Sequence, residues 1–353
     1  MHLTKLFFFQ LIITLLFTNS GLIPVAQEHC VTNPTLLVSN ESNSKGEPAK
    51  MEKGKIVIAT FAHDPDELTW ALVMVESIRS FGGTLRNVPV WLYLPENKPE
   101  MDSMTQEKQS SLRITVKKSR TPEEAKPLWF SGKVFASALA EGEASDKYEI
   151  LAWLDPDMVF VKEPHAFLLD DGISLGYRPV MHRLIGSLYS EPPDEFWARL
   201  YQKLSVPDSS LFPMVTPVDQ VAIRPYFNAG MLILRPERKI LRKWPECFKT
   251  LYTDSVFVEM CKKDQLKAIF LHQTALAGTI LNRLRKSDML ELPPTYNYPL
   301  NLADKYPADK KPKSLDELVM FRHDLMFSDP ERKDQVKDTS MIFSWLKERF
   351  PKK

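Results

Sequence analysis

Cysteine, glycine and net charge are all in short supply in this chain. Its three cysteines, Cys30, Cys247 and Cys261, allow at most one internal disulfide. None stands with histidine in a zinc-type spacing. Buried free thiols are expected, with Cys247 and Cys261, which flank a helical segment, the pair to bridge if any does. Twelve glycines against 27 prolines argue for stiff loops rather than flexible linkers. A formal net charge of +1 without a dominant basic tract excludes nucleic acid as the main partner, because binding a phosphate backbone needs clustered Lys and Arg. No internal repeat is visible.

What is present is a chain of 353 residues, 44% hydrophobic and 26% charged, enough for one large α/β domain or two smaller ones. His2 and Lys5 precede an apolar run from Leu6 to Phe17, interrupted by Gln10 and followed by Thr18-Asn19-Ser20. That is the size of a signal peptide; counted on to Ala26, it also suffices for an uncleaved membrane anchor. Residues 1–27 are read as one or the other, and both place the remainder outside the cytosol, secreted or in a Golgi-type lumen. Residues 28–54 are a polar linker carrying Asn40-Glu41-Ser42, a glycosylation sequon or a chance triplet. The folded domain occupies 55–353.

That domain opens with a short buried strand, Ile56 to Thr60. A loop rich in capping acids leads into a helix over 68–81, ended by Gly82-Gly83. Strands follow at 88–94 and 113–116. Strand, helix, strand in this order predicts a right-handed crossover and a parallel sheet, whose ligands bind at the carboxyl ends of its strands. A helix over 127–140 carries Lys133. The stretch that organises the rest is Ile150–Val161, in which two apolar runs are broken by Asp155-Pro156-Asp157. In a strand, residues two apart point to one side, so both carboxylates converge just past the strand end. Such a pair repels itself unless a positive group, commonly a hard divalent cation, lies between. The plain alternative is a solvated Asp-Pro turn.

Past the acid pair, a short strand at 174–178 precedes a proline-studded region with a helix at 194–204. Asn228-Ala229-Gly230 puts small residues ahead of a strand, where the backbone can approach something closely. A helix over 239–258 follows. Lys267 to Leu271 leads into a helix opening at His272-Gln273, and a late strand, 318–322, ends at His323.

Taken in order, Ile56–Thr60, Leu154-Asp155-Pro156-Asp157, Phe227-Asn228-Ala229-Gly230, His272-Gln273, Leu292-Pro293 with Tyr296-Asn297, and His323 resemble the nucleotide-sugar glycosyltransferases of the GT-A fold. Within that fold they are most similar to family 8, the glycogenin-like and galactosyltransferase-like group. The resemblance covers about residues 55–325 and implies an α/β fold with a mostly parallel central sheet flanked by helices. It also implies a metal-dependent hexosyltransferase that retains anomeric configuration. Asp155, Asp157 and His323 would hold Mn²⁺ or Mg²⁺, which neutralises the pyrophosphate leaving group. Ala59, Thr60, Lys133, Asp155, Asn228, Ala229 and Gly230 would contact a UDP- or GDP-sugar donor. Gln273, near the anomeric carbon, and Asp157 would be catalytic.

Two departures stand out. His272 replaces an Asp of the family, and the segment after His323 lacks the family's Gly and Lys. Arg322 or Lys333 is then the candidate to meet the pyrophosphate. The acceptor, a glycan, lipid or protein, is expected at 179–225, near Tyr189, Trp197, Phe212 and Tyr226. Two other readings remain open. One is a haloacid-dehalogenase-like phosphatase using Asp155 as nucleophile and Asp157 as acid/base; the other is a GT-A-like binding protein without turnover.

Overall fold

The computed structural model describes residues 53–97, 102–324 and 340–350. The expected signal or anchor, nearly all of the linker with its sequon, Cys30 and Lys333 lie outside the described residues. Among the described residues, no helix is long and apolar enough to cross a membrane.

Strand β1 (Gly54–Phe61) leads into α1 (Pro65–Phe81). The helix starts there for readable reasons. Asp64 accepts a hydrogen bond from the Glu67 amide, Pro65 sits in the first turn, and Asp66 and Glu67 face the positive helix end. Strand β2 (Val90–Pro95), helix α2 (Ser103–Ser111), strand β3 (Ile114–Ser119), helix α3 (Ser131–Ala144) and strand β4 (Tyr148–Leu154) follow. Next come β5 (Met158–Phe160), β6 (Leu175–Pro179), α4 (Glu195–Lys203), β7 (Met214–Val215), β8 (Ala222–Ile223) and β9 (Phe227–Leu234). Three consecutive helices, α5 (Ile240–Tyr252), α6 (Ser255–Lys263) and α7 (Gln265–Arg283), precede β10 (Met289–Glu291), β11 (Tyr298–Pro299), β12 (Met320–Arg322) and α8 (Met341–Arg349).

Seven strands form the main sheet in the order β10-β6-β9-β4-β1-β2-β3. Only β9 runs against its neighbours, β4 and β6; the other pairings are parallel. This is the expected α/β class with a mostly parallel sheet. Side-chain alternation sorts each central strand onto two faces. Val57, Ala59, Leu151 and Trp153 enter the core that includes α3, α5 and α7, while Ile56, Ile58, Ile150 and Leu154 enter the one built on α1. Each large apolar side chain so enclosed contributes about 1.5–3 kcal/mol.

A second, three-stranded sheet, β11-β12-β5, decides the shape of the acid pair's surroundings. β4 lies in the large sheet and β5 in the small one, so Asp155-Pro156-Asp157 is the hinge between them. The Asp155 amide donates to Gly230 O at 2.8 Å on one side, and Asp157 O accepts from the His323 amide at 3.0 Å on the other.

Several local expectations shift. The helix expected over 239–258 is two, because the Asp254 side chain accepts from the Val256 and Phe257 amides and starts a new one. His272 does not open a helix: Asp264 caps α7 and places His272 and Gln273 in its interior. Helix α2 was not foreseen; it buries no residue and so has no apolar period to read. Cys247 and Cys261 are free thiols, the first buried.

Candidate active site

Asp155 and Asp157 are only 7% and 4% exposed. Carboxylates this enclosed are costly unless paired, and both are. Lys133, in the first turn of α3, holds Nζ 2.6 Å from Asp155 Oδ1 and 2.8 Å from Oδ2. Arg322, at the end of β12, forks onto Asp157, with Nε 3.2 Å and Nη2 3.0 Å from Oδ2. The same Nη2 lies 3.7 Å from Asp155 Oδ2. Two anions and two cations therefore alternate in one cluster. Burial opposes the charge of Arg322, but Asp157 and Asp155 outweigh it and raise the guanidinium's pKa. Burial likewise opposes ionisation of Asp157, but the groups around it, Arg322 foremost and Lys133 among them, together outweigh it and hold the carboxyl below its ordinary range.

The floor beside this cluster is Asn228-Ala229-Gly230, within β9 itself rather than ahead of it. A Cβ on Gly230 would stand 2.6 Å from Asp155 Oδ2 and 3.0 Å from Asn228 Oδ1, so only glycine leaves room for the acid. Asn228 Oδ1 accepts from the Gly230 amide at 2.9 Å. Ala229 N–H donates to Gln273 Oε1 at 3.2 Å, which fixes the orientation of that amide. His272 is buried, with Nδ1 3.0 Å from Ile269 O. Its ring packs against Phe130 at 4.7 Å and Trp244 at 6.2 Å between centroids. Burial, then the charge of Lys133, pushes the imidazole pKa well down, so His272 is neutral at pH 7.

The structure thus brings together Lys133, Asp155, Asp157, Asn228, Ala229, Gly230 and Gln273. It does not present Ala59 or Thr60: both are fully enclosed in β1, and the Thr60 hydroxyl is buried without a hydrogen-bond partner. Of the four aromatics expected at an acceptor, Trp197, Phe212 and Tyr226 are core residues, and only Tyr189 is exposed.

The expected metal set also fails to assemble. Among the described residues, no three His, Cys, Asp or Glu side chains group as ligands. His323 is fully buried, its Nδ1 2.7 Å from Asp324 O and its ring packed on Trp70 and Phe350 at 5.6 and 5.2 Å. Burial lowers its pKa to about 4, against the pull of Asp157. Alternation along the strand sends successive side chains to opposite faces, and it is Arg322, one residue earlier, that faces the acids. As arranged, the donors do not fit a divalent ion.

One contributor to the site went unread in the sequence. Phe130, before α3, has a left-handed backbone (φ 57) and is 46% exposed. Its ring lies 5.2 Å from Lys133 Nζ. Left-handed geometry in a non-glycine residue costs about 1–3 kcal/mol and gathers at working sites; nothing in residue order reveals it.

Comparison with known proteins gives a family. Among solved structures, the galactosyltransferase LgtC with donor and acceptor sugar analogues matches at TM-score 0.46 and 13% identity, over 83% of this chain and 94% of that one. Mouse xyloside xylosyltransferase 1 matches at TM-score 0.41 and 12% identity, over 77% and 97%. Core-mannan synthase A of Aspergillus fumigatus, in an Mn/GDP form, matches at TM-score 0.39 and 10% identity, over 69% and 74%. No curated protein sequence matches. The model of the Rhodobacterales glycosyltransferase domain matches residues 59–282, a span that holds all of the gathered residues except Arg322. The chain belongs to that family and is a glycosyltransferase.

Proposed function

We propose that the chain moves a sugar from a nucleoside-diphosphate donor, UDP- or GDP-linked, to an acceptor at the carboxyl ends of β1 and β4. One observation carries this reading: two acids at the hinge between sheets hold Lys133 and Arg322 in fixed positions. Breaking a sugar–diphosphate bond leaves negative charge on the leaving group, and preorganised cations stabilise it without reorganising at that moment. The Asn228–Gly230 segment of β9 and the oriented Gln273 amide adjoin that cluster, where the sugar would sit. Gln273 near the anomeric carbon is consistent with a retaining transfer. Tyr189, with Arg224 6.0 Å from its ring, is the exposed aromatic left for an acceptor sugar. A position outside the cytosol, secreted, lumenal or anchored, belongs to the same proposal and rests on the apolar run at 6–17 alone.

The phosphatase alternative gains nothing from the geometry. A nucleophilic Asp155 needs an open approach to phosphorus, yet it is nearly enclosed, with Lys133 on both oxygens. The test is a thermal-shift screen of nucleoside diphosphates and sugar nucleotides with the wild type and Asp157→Asn. UDP or GDP should raise the melting temperature of the wild type and not of the variant. An equal shift in both would reject the site, and no shift from any nucleotide would reject the donor class.

A further inference from the structure

We propose that Arg322 stands where nucleotide-sugar transfer otherwise recruits a divalent ion, so that this enzyme engages its donor's diphosphate without one. The inference rests on the donor reading above. Its basis is position. One guanidinium nitrogen, Nη2, lies 3.0 Å from Asp157 Oδ2 and 3.7 Å from Asp155 Oδ2, between the two carboxylates that a bridging ion would need. An ion binds such oxygens at about 2.0–2.6 Å, closer than Arg322 Nη2 lies to either acid, and it cannot share them with a guanidinium already on them. Arg322 would have to leave first.

Three further observations agree. Lys133 occupies both oxygens of Asp155 from the other side, so each acid already has its own cation. The imidazole expected as third ligand is enclosed by Trp70 and Phe350, with Nδ1 on the Asp324 carbonyl. Arg322 is also partly open to solvent. Its fork onto Asp157 uses Nε and Nη2, while its side chain remains 26% exposed. A guanidinium carries five N–H donors in a fixed plane, so the Nη1 pair is left for phosphate oxygens. The planar fork suits diphosphate recognition in a way a lysine ammonium does not.

The decisive measurement is Mn²⁺ uptake, followed by the resonance of free Mn²⁺, in the EDTA-treated full chain with and without UDP or GDP. Nucleotide affinity is measured in parallel in EDTA and in Mn²⁺. The wild type should take up no stoichiometric Mn²⁺ and bind nucleotide equally in both buffers. Arg322→Met should lose about tenfold or more in nucleotide affinity in EDTA, the loss of one charge-assisted contact, and should acquire an Mn²⁺ site on the freed acids. Arg322→Lys keeps the charge but not the fork. It should fold even if the methionine variant does not, and bind nucleotide more weakly in EDTA. One Mn²⁺ per wild-type chain that Asp157→Asn removes, or nucleotide binding that collapses in EDTA, would overturn the inference. Absence of nucleotide binding in every buffer would sink the donor reading instead, while Mn²⁺ uptake still decides what stands between the acids.

Discussion

Gly230→Ala isolates the close approach on which the site depends. Gly230 has no positive φ, so alanine brings no backbone strain and the whole effect is steric. The new Cβ would lie 2.6 Å from Asp155 Oδ2, where ordinary contact begins at 3.4 Å. The acid must therefore yield by most of an ångström. It has little freedom to do so, since its amide is bonded to Gly230 O and both its oxygens are held by Lys133. Overpacking of this kind costs about 1–3 kcal/mol. If the displacement carries Lys133 off its working position, the same energy appears as a loss of about 5- to 150-fold in kcat/KM. Gly142→Ala is the matched control: its Cβ would meet only Arg242 Cδ at 3.7 Å, and an alanine in a helix adds up to about 1 kcal/mol of stability. Thermal unfolding and donor turnover measured on both variants give the answer. Full stability and activity in Gly230→Ala would refute the confinement of Asp155.

Two other perturbations test the fold that carries the site. Glu141 is fully buried and accepts from the Ile240 and Arg242 amides at 2.8 and 2.6 Å; burial outweighs these bonds and lifts its pKa from 4.5 to about 7. The native state then keeps a proton that the unfolded chain loses, so this stability is full below pH 4.5 and disappears as pH rises to about 7. The change is about 3 kcal/mol. Denaturant unfolding of Glu141→Gln across that window should lack the slope, and an identical slope in the variant would contradict the assignment. Asp254 caps α6 and also meets Arg199 at 2.9 Å and Lys203 at 2.8 Å. Asp254→Ala should cost about 2–3 kcal/mol, of which about 1 is the cap. Asp254→Asn should keep the cap and lose only the ion pairs; equal melting temperatures for the two variants would argue against that division.

Much of the site was legible because strand chemistry is local. Apolar runs at 56–60 and 150–154 announce buried strands, and two acids spaced by one residue at a strand end must face the same way. The small residues at 228–230 signalled a close approach, and the structure supplies its object, the Asp155 carboxylate. The helix start at Asp194 was equally readable, whereas α1 begins at Pro65, one turn before the expected 68, because Asp64 within the acid-rich loop is its cap. Each of the two side chains accepts from an amide three residues on. Cap chemistry also misled where it was overlooked: Asp254 splits one expected helix, and Asp264 extends another back past His272.

What residue order could not supply was the partner of the acid pair. Lys133 precedes Asp155 by 22 residues and Arg322 follows Asp157 by 165; only the pairing of β12 with β5, Arg322 opposite Met158, delivers the guanidinium. Sequence thus determined the elements, the mostly parallel sheet and the place of the carboxylates, through periodicity and capping that act within a few residues. Tertiary structure decided which cation those carboxylates hold. A one-residue choice of register in a three-residue strand sends Arg322 toward the acids and leaves His323 against Trp70, and long-range packing sets that choice.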